Sequence, residues 1–245
     1  MTLEILWFCL LAFFWTAYFV LEGFDFGVGM LLPVLGRDED DRSTMLESVG
    51  PHWDGNEVWL VIAGGATFAA FPVWYATMFS GFYLALLLIL VFLIARVLSF
   101  EWREKADGPA WKAFWAWTNT ISSVAVPLLW GIALASLLHG VPIGSDQTYA
   151  GDFADLFSAY SVVAGIALCL LFALHGAVFL GLRTLGDIRQ RARRTATLLA
   201  PVASIVGAGF LVWTLVVAGD VNDKSLFPGI LPVAVAAVAA VAAIV

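Results

Sequence analysis

The chain has 245 residues, 62% hydrophobic and only 13% charged, with a mean hydropathy of +0.93. A soluble domain is roughly 45–50% apolar and about 25% charged, so a soluble enzyme, a nucleic-acid-binding domain and a disordered chain are excluded. Twelve Lys and Arg against nineteen Asp and Glu give a net charge of −7, which argues against nucleic acid or any other polyanionic partner.

What remains is an all-α, polytopic membrane helix bundle. A helix needs about 20 apolar residues to cross a bilayer core. Seven runs qualify as candidates, over residues 4–35, 57–74, 76–100, 114–138, 160–182, 196–218 and 230–245. The first is long enough to tilt or to project from the bilayer. The second and third are separated only by a turn over 72–75, which predicts a tight hairpin. The last carries Pro232 early enough for a first helical turn and is still apolar at Val245. The chain therefore reads as one transmembrane domain, 1–245. No residue before Arg37 is basic, so the first run is expected to stay as a span and not to be cleaved as a signal peptide.

Basic residues fall on one side. The first, third and fifth loops hold Arg37, Arg42, Arg103, Lys105, Lys112, Arg183, Arg189, Arg191, Arg193 and Arg194, whereas the even loops hold only Lys224. The positive-inside rule then places the odd loops in the cytoplasm and the N-terminus outside. The fourth loop, with Asp146, Asp152 and Asp155, fits the outer face. Trp102, Trp111, Trp115 and Trp117 flank the third loop as an interfacial aromatic belt. The Arg-rich loop over 183–194 reads as a topology anchor that also suits anionic lipid. Cys9 and Cys169 sit inside apolar runs with no metal-binding spacing.

Two polar clusters interrupt this pattern. Glu22 and Asp25 lie three residues apart inside the first run, on one helix face. A carboxylate there costs about 2.5–3.5 kcal/mol on insertion scales, and such groups line proton or ion paths or else make packing hydrogen bonds. Gly23, Gly27 and Gly29 share these turns and predict a close helix crossing. The second cluster is Gly50-Pro51-His52-Trp53-Asp54-Gly55-Asn56-Glu57-Val58-Trp59. Asp54 and Glu57 are three apart, and His52 and Asn56 are four apart, so each pair stacks on a helix face. Asp54 reads either as the N-cap of the second span or as a protonatable group at the mouth of a polar path. Arg96 either snorkels to the interface or pairs with one of these carboxylates. His175, buried mid-span, is a packing residue or, less simply, a haem ligand, and His139 is structural.

These blocks carry a resemblance. Residues 22–30, Glu-Gly-Phe-Asp-Phe-Gly-Val-Gly-Met, and the Gly50–Trp59 block look like the signature segments of subunit II of cytochrome bd-type quinol oxidases. Gly64-Gly65-Ala66, Phe68-Ala69-Ala70, Phe79-Ser80-Gly81-Phe82-Tyr83 and Leu182-Arg183-Thr184 agree with it. The resemblance implies a bacterial cytoplasmic-membrane complex in which this chain pairs with a homologous subunit I. That partner carries haem b and haem d and the quinol site, and oxygen is reduced to water with cytoplasmic protons. Small accessory subunits and a quinone contact are further possible associations of such a complex. It implies a proton role for Asp25 and Asp54, with Glu22, Glu57 and His52 as bridging groups, and no haem iron ligated by this chain. The family usually exceeds 300 residues, so further C-terminal spans are expected beyond Val245. From the residues alone, a proton-coupled secondary transporter and a purely structural assembly subunit remain alternatives.

Overall fold

A computed structural model describes residues 2–145 and 147–221. Asp146, Lys224, Pro232 and the whole seventh run lie outside the described residues. Eight α-helices are found among the described residues: α1 (Leu3–Leu35), α2 (Glu39–Val49), α3 (Trp53–Ala70), α4 (Pro72–Gly81), α5 (Tyr83–Trp102), α6 (Pro109–His139), α7 (Ala159–Arg183) and α8 (Gly186–Val221). Five of them, α1, α5, α6, α7 and α8, are long and apolar enough to cross a membrane. The chain is thus a multi-pass helical bundle.

The runs and the helices differ in three places. The turn expected over 72–75 falls at Phe71, whose backbone (φ −136°, ψ 65°) leaves the helix ahead of Pro72 at the first position of α4. Proline disfavours the helical conformation in the residue before it, which sets that break. The third run then breaks again at Phe82, so a separate ten-residue helix, α4, stands where a simple hairpin was expected. The fourth loop packs on α4: Thr77 Oγ1 donates to the Gln147 carbonyl at 2.8 Å. Secondly, the first loop contains α2, capped by Asp38, whose side chain accepts from the Asp41 N–H at 2.8 Å. Glu39, Asp40 and Asp41 fill its first turn, where carboxylates oppose the positive end of the helix dipole. Thirdly, the Arg-rich segment is not a loop. It is the first turns of α8, reached through Gly186 at φ +61°, a left-handed position that costs glycine nothing. Arginine is a good helix former, and neither Gly nor Pro interrupts 187–200.

The second half of α1 is the hub of the bundle. From Tyr18 to Leu35 most of its residues are buried, whereas most of its first half is exposed. Apolar packing between helices gains little over lipid, so close contact relies on small residues. Gly27 meets Gly176 of α7: a Cβ on Gly27 would stand 2.7 Å from the Gly176 nitrogen. Gly29 abuts Asn119 and Ser123 of α6, where Thr120 Oγ1 donates to the Gly29 carbonyl at 3.0 Å. A second glycine crossing joins α6 to α7, where a Cβ on Gly131 would stand 2.5 Å from Gly165 Cα. Below these crossings, Met45, Leu46 and Val49 of α2 pack with Leu32, Leu35, Leu180, Ile188 and Ala192, tying the first turns of α8 to α1 and α7.

Ion pairs surround that patch. Arg191 donates to Asp41 at 2.6 Å, and Arg103 bridges Glu39 and Glu104. Partial burial alone pushes the Asp41 carboxyl up, but the bonds from Arg191 and the Arg37 N–H outweigh it and hold Asp41 below its ordinary range. The Asp41 contribution to stability is therefore complete above the unfolded carboxylate value of roughly 3.9 and is lost as pH falls through its own lower value. An acid titration of folded protein should show Asp41→Asn losing this low-pH loss of stability; an unchanged acid profile would contradict the pairing.

The crossing at Gly27 yields a second prediction. Gly27→Leu forces a large side chain into backbone contact, and overpacking costs about 1–3 kcal/mol. Thermal unfolding in detergent should show the loss for Gly27→Leu. Gly207→Leu, placed in α8 where a Cβ has open space, should leave the midpoint near that of the native chain. Equal midpoints for all three chains would place Gly27 away from any helix contact.

Candidate functional site: a buried charge cluster

Glu22 and Asp25 stand one turn apart on the buried face of α1, 0% and 1% exposed. Opposite them, α5 presents Arg96, also 0% exposed, whose Nη1 donates to Glu22 Oε1. Arg96 therefore does not snorkel; it forms a fully desolvated ion pair. Its guanidinium lies over the Phe26 ring at 4.5 Å from the centroid and beside Phe100 at 5.4 Å. Cation–π contacts of this kind reach about 2 kcal/mol when desolvated, and they help offset the water Arg96 has lost. The α5 backbone is held in place as well: Ser99 Oγ donates to the Arg96 carbonyl, and Asn119 Nδ2 of α6 donates to Ser99 Oγ at 2.9 Å.

Asp25 is tied to α3. Its Oδ2 accepts from Asn56 Nδ2 at 2.8 Å. Glu57, the next residue of α3, is half-buried and interacts electrostatically with Glu22, Arg96 and Asp54. Tyr18, one turn before Glu22 on α1, is fully buried and lies within the field of Glu22, Glu57 and Arg96. Several buried polar atoms in this group have no partner among the described residues: Tyr18 Oη, Glu22 Oε2, Asp25 Oδ1, Glu57 Oε2, and Arg96 Nε and Nη2. Two carboxylates, a fixed cation and a phenol with free hydrogen-bonding positions can bind, hold and pass a proton.

The structure separates the expected residues. Glu22 and Asp25 share one cluster, with Glu57 at its edge. Asp54 is exposed, and among the described residues its side chain makes no hydrogen bond. The helix starts at Trp53, and its N-cap is His52, which makes no side-chain capping bond, so Asp54 is not the cap. The His52 ring lies elsewhere, with Nε2 at 3.0 Å from Arg183 Nη2. Because Arg can only donate, His52 Nε2 accepts, which assigns the ring proton to Nδ1. The first α1 glycine, Gly23, faces Phe172 and His175, so all three glycines of the sequence pattern lie against α6 or α7.

His175 and His52 both approach Phe24, with centroids 5.6 and 6.3 Å away. Phe24 in turn stacks on Phe179 at 4.3 Å, and Phe179 lies 6.3 Å from His52, so both histidines sit against the same aromatic pair. His139 packs at 6.0 Å from Tyr160, in a different cluster. Among the described residues, no group of three or more His, Cys, Asp or Glu could hold a metal ion.

Sequence reasoning left Asn56 and Tyr18 outside the site. The signal for Tyr18 was its i−4 spacing from Glu22. Asn56 was read as the helix-face neighbour of His52, four residues away, and not as a partner of Asp25.

The long apolar helices and the buried Glu22–Arg96 pair define a multi-pass membrane helix bundle with a charged centre. The chain belongs to the family described as cytochrome bd terminal oxidase subunit II, whose sequence profile it matches over residues 3–245. It is similar to "Cytochrome bd ubiquinol oxidase subunit 2" of Bacillus subtilis (strain 168), 40% identical over 209 residues, covering 85% of this chain and 62% of the relative. It is also 40% identical over 217 residues to "Cytochrome bd-I ubiquinol oxidase subunit 2" of Escherichia coli (strain K12), covering 87% of this chain and 57% of the relative. The fold resembles a chain of the bd oxidase from Geobacillus thermodenitrificans, with a TM-score of 0.70 at 20% identity over 88% of this chain and 67% of that one. The chain thus spans about 57–62% of the length of these curated relatives.

The buried pair makes a stability prediction. Removing one member of such a pair costs about 3–5 kcal/mol, because the other charge is left uncompensated. Arg96→Leu should therefore lower the unfolding midpoint in detergent more than the double variant Arg96→Leu/Glu22→Leu. A double variant less stable than the single would show that the two side chains are not paired.

Proposed function

We propose that this chain is the second subunit of a quinol-oxidising, oxygen-reducing terminal oxidase, and that its own chemical task is to carry protons inward from the cytoplasmic side. Its relatives are named as ubiquinol oxidase subunits. In this reading a homologous subunit I holds the haems and oxidises the quinol. The basic loops 37–42 and 103–112 and the start of α8 face the cytoplasm, and the N-terminus lies outside. A proton-coupled transporter is not favoured for a member of this family.

The observation that carries the proposal is the buried Glu22–Arg96 pair with Asp25 one turn away, linked by Asn56 to the first turn of α3. α1 runs inward, so Asp25 is about ten residues, or roughly 15 Å at 1.5 Å per residue, from the helix end at Leu35. Asp54 stands exposed at the start of α3 and interacts with Glu57, which interacts with Glu22. The order Asp54, Glu57, then Asp25 and Glu22 gives protons a route from the cytoplasmic surface to mid-bundle. Arg96 fixes Glu22 as an anion and leaves Asp25, whose own hydrogen bond is to a neutral amide, as the group free to load and unload. His52, held by Arg183, supports the mouth of this route and is not one of its inner stations.

Asn in place of Asp25 keeps size and hydrogen bonding but binds no proton. Asp25→Asn in the assembled complex should lower quinol-driven oxygen consumption by about a hundredfold, the lower end of the range for loss of a proton-transfer group, with the haem absorption spectrum intact. Asp54→Asn, at an exposed position that water can bypass, should cost less. Full turnover of Asp25→Asn with normal proton uptake would remove the chain from proton delivery and leave it a structural subunit.

A further inference from the structure

Between α2, the start of α3 and the end of α5 lies a cleft of about 280 Å³. Its walls include Ser43, Glu47, Trp53, Phe100, Glu101 and Arg103. Glu47 and Glu101 are exposed, and Arg103 is buried, with its guanidinium bonded to Glu39, Glu104 and Ser43. The cleft is therefore polar and open at its outer end. Its inner wall is aromatic: the Trp53 indole stacks on Phe100 with centroids 5.6 Å apart and an interplanar angle of 10°. The Phe100 ring also lies beside the Arg96 guanidinium, 5.4 Å from its centroid. Trp53, Phe100 and Arg96 thus form a sequence of three groups, from the polar cleft to the buried ion pair.

We infer that this cleft is a second, water-filled approach to the buried carboxylates, and that the stacked rings of Trp53 and Phe100 are the barrier that closes it. The cleft takes water and hydrated protons, which Glu47 and Glu101 attract. One ring separates them from the guanidinium that holds Glu22. This closure has a physical purpose. A continuous water file would hydrate the Arg96–Glu22 pair and weaken it, because the pair depends on a low local dielectric. Phe100 keeps that side dry and positions Arg96 by its cation–π contact, while parting of the two rings admits water. The inference builds on the proton-delivery reading for its role, but the barrier itself is a matter of access and is testable without turnover.

The test is chemical access in the assembled complex. A water-soluble carbodiimide with a small amine converts reachable carboxyls to amides, and peptide mass spectrometry counts them at Asp25, Glu22 and Glu47. Glu47 lies in the open cleft and should react equally in every variant. Phe100→Ala should raise amidation of Asp25 and Glu22 at least tenfold over the native complex. Phe100→Leu, which refills much of the ring's volume, should stay near the native level. Trp53→Leu opens the same stack from the other side and should also raise labelling, so the idea remains testable if Phe100→Ala does not assemble. Native-level labelling of Asp25 and Glu22 in both Phe100→Ala and Trp53→Leu, with Glu47 fully labelled, would overturn the barrier. Increased labelling together with full turnover of Asp25→Asn would keep the barrier and refute proton delivery, so the two ideas fail separately.

Discussion

The rest of this structure depends on keeping one arginine and one glutamate together without water. Arg96 and Glu22 are both fully buried. Either alone would be costly in a bilayer core. Together they are tolerable only where geometry is fixed, since the mutual attraction must offset the loss of hydration. The fold supplies that rigidity from several sides. The Gly27–Gly176 contact draws α7 onto α1, and Asn119 of α6 steadies the α5 turn that carries Arg96 through Ser99. Phe26 and Phe100 offer ring faces where the guanidinium would otherwise meet aliphatic carbon. Glycine crossings and charge cluster are therefore one design: the small residues bring the helices close enough that the acids on α1 are shut in.

Asp25 gains its character from what it lacks. Glu22 has a cation; Asp25 has an amide donor and one oxygen with no partner. Two acids one helical turn apart thus have different environments, Glu22 beside a cation and Asp25 beside a neutral amide; under the proposed proton role the first stays ionised and the second changes state. Such division of roles between neighbouring carboxyls is how proton-handling sites are built. At the α2 end, a second layer of charge has a different task. Arg103, Glu39, Glu104, Asp41 and Arg191 bind the ends of α2, α5 and α8 at the bundle surface. These pairs are partly hydrated, so they locate the helix ends more than they stabilise them.

Much of this was legible in the residues, and the gaps have physical causes. Membrane helices announce themselves by length and hydropathy: of the seven runs, five coincide with helices long and apolar enough to span, whereas the run over 57–74 falls on α3, which is not one of them, and the seventh lies outside the described residues. The boundaries failed where backbone chemistry competes with hydropathy. Phe71-Pro72 and Gly81-Phe82 split an apolar stretch into α4 and α5, and the arginines of 189–194 propagate a helix through what their charge marked as loop. α2 was missed because its apolar side is only Met45, Leu46 and Val49, too short a pattern to stand out. Within the site, Glu22 and Asp25 were conspicuous because charge is expensive there. Their partners were not: Arg96 admitted two readings until α5 was placed, and Asn56 carries no charge to mark it. The glycines on α1 were legible, but Gly131, Gly165 and Gly176 belong to crossings that only the packing of α6 and α7 identifies. Asp54 illustrates the reverse case, a residue whose spacing suggested a cap or a crevice and whose side chain faces outward.

Under the proposed proton role, Asp25 changes protonation during turnover, while Glu22 stays ionised against Arg96. Redox-induced infrared difference spectroscopy of the assembled complex tests this directly, because a carboxylic acid has a carbonyl stretch that its carboxylate lacks. The account predicts a carboxyl band that changes on reduction, shifts in deuterated water and is absent from Asp25→Asn, with no carboxyl band lost in Glu22→Gln. A difference spectrum identical in the native complex and Asp25→Asn would contradict it.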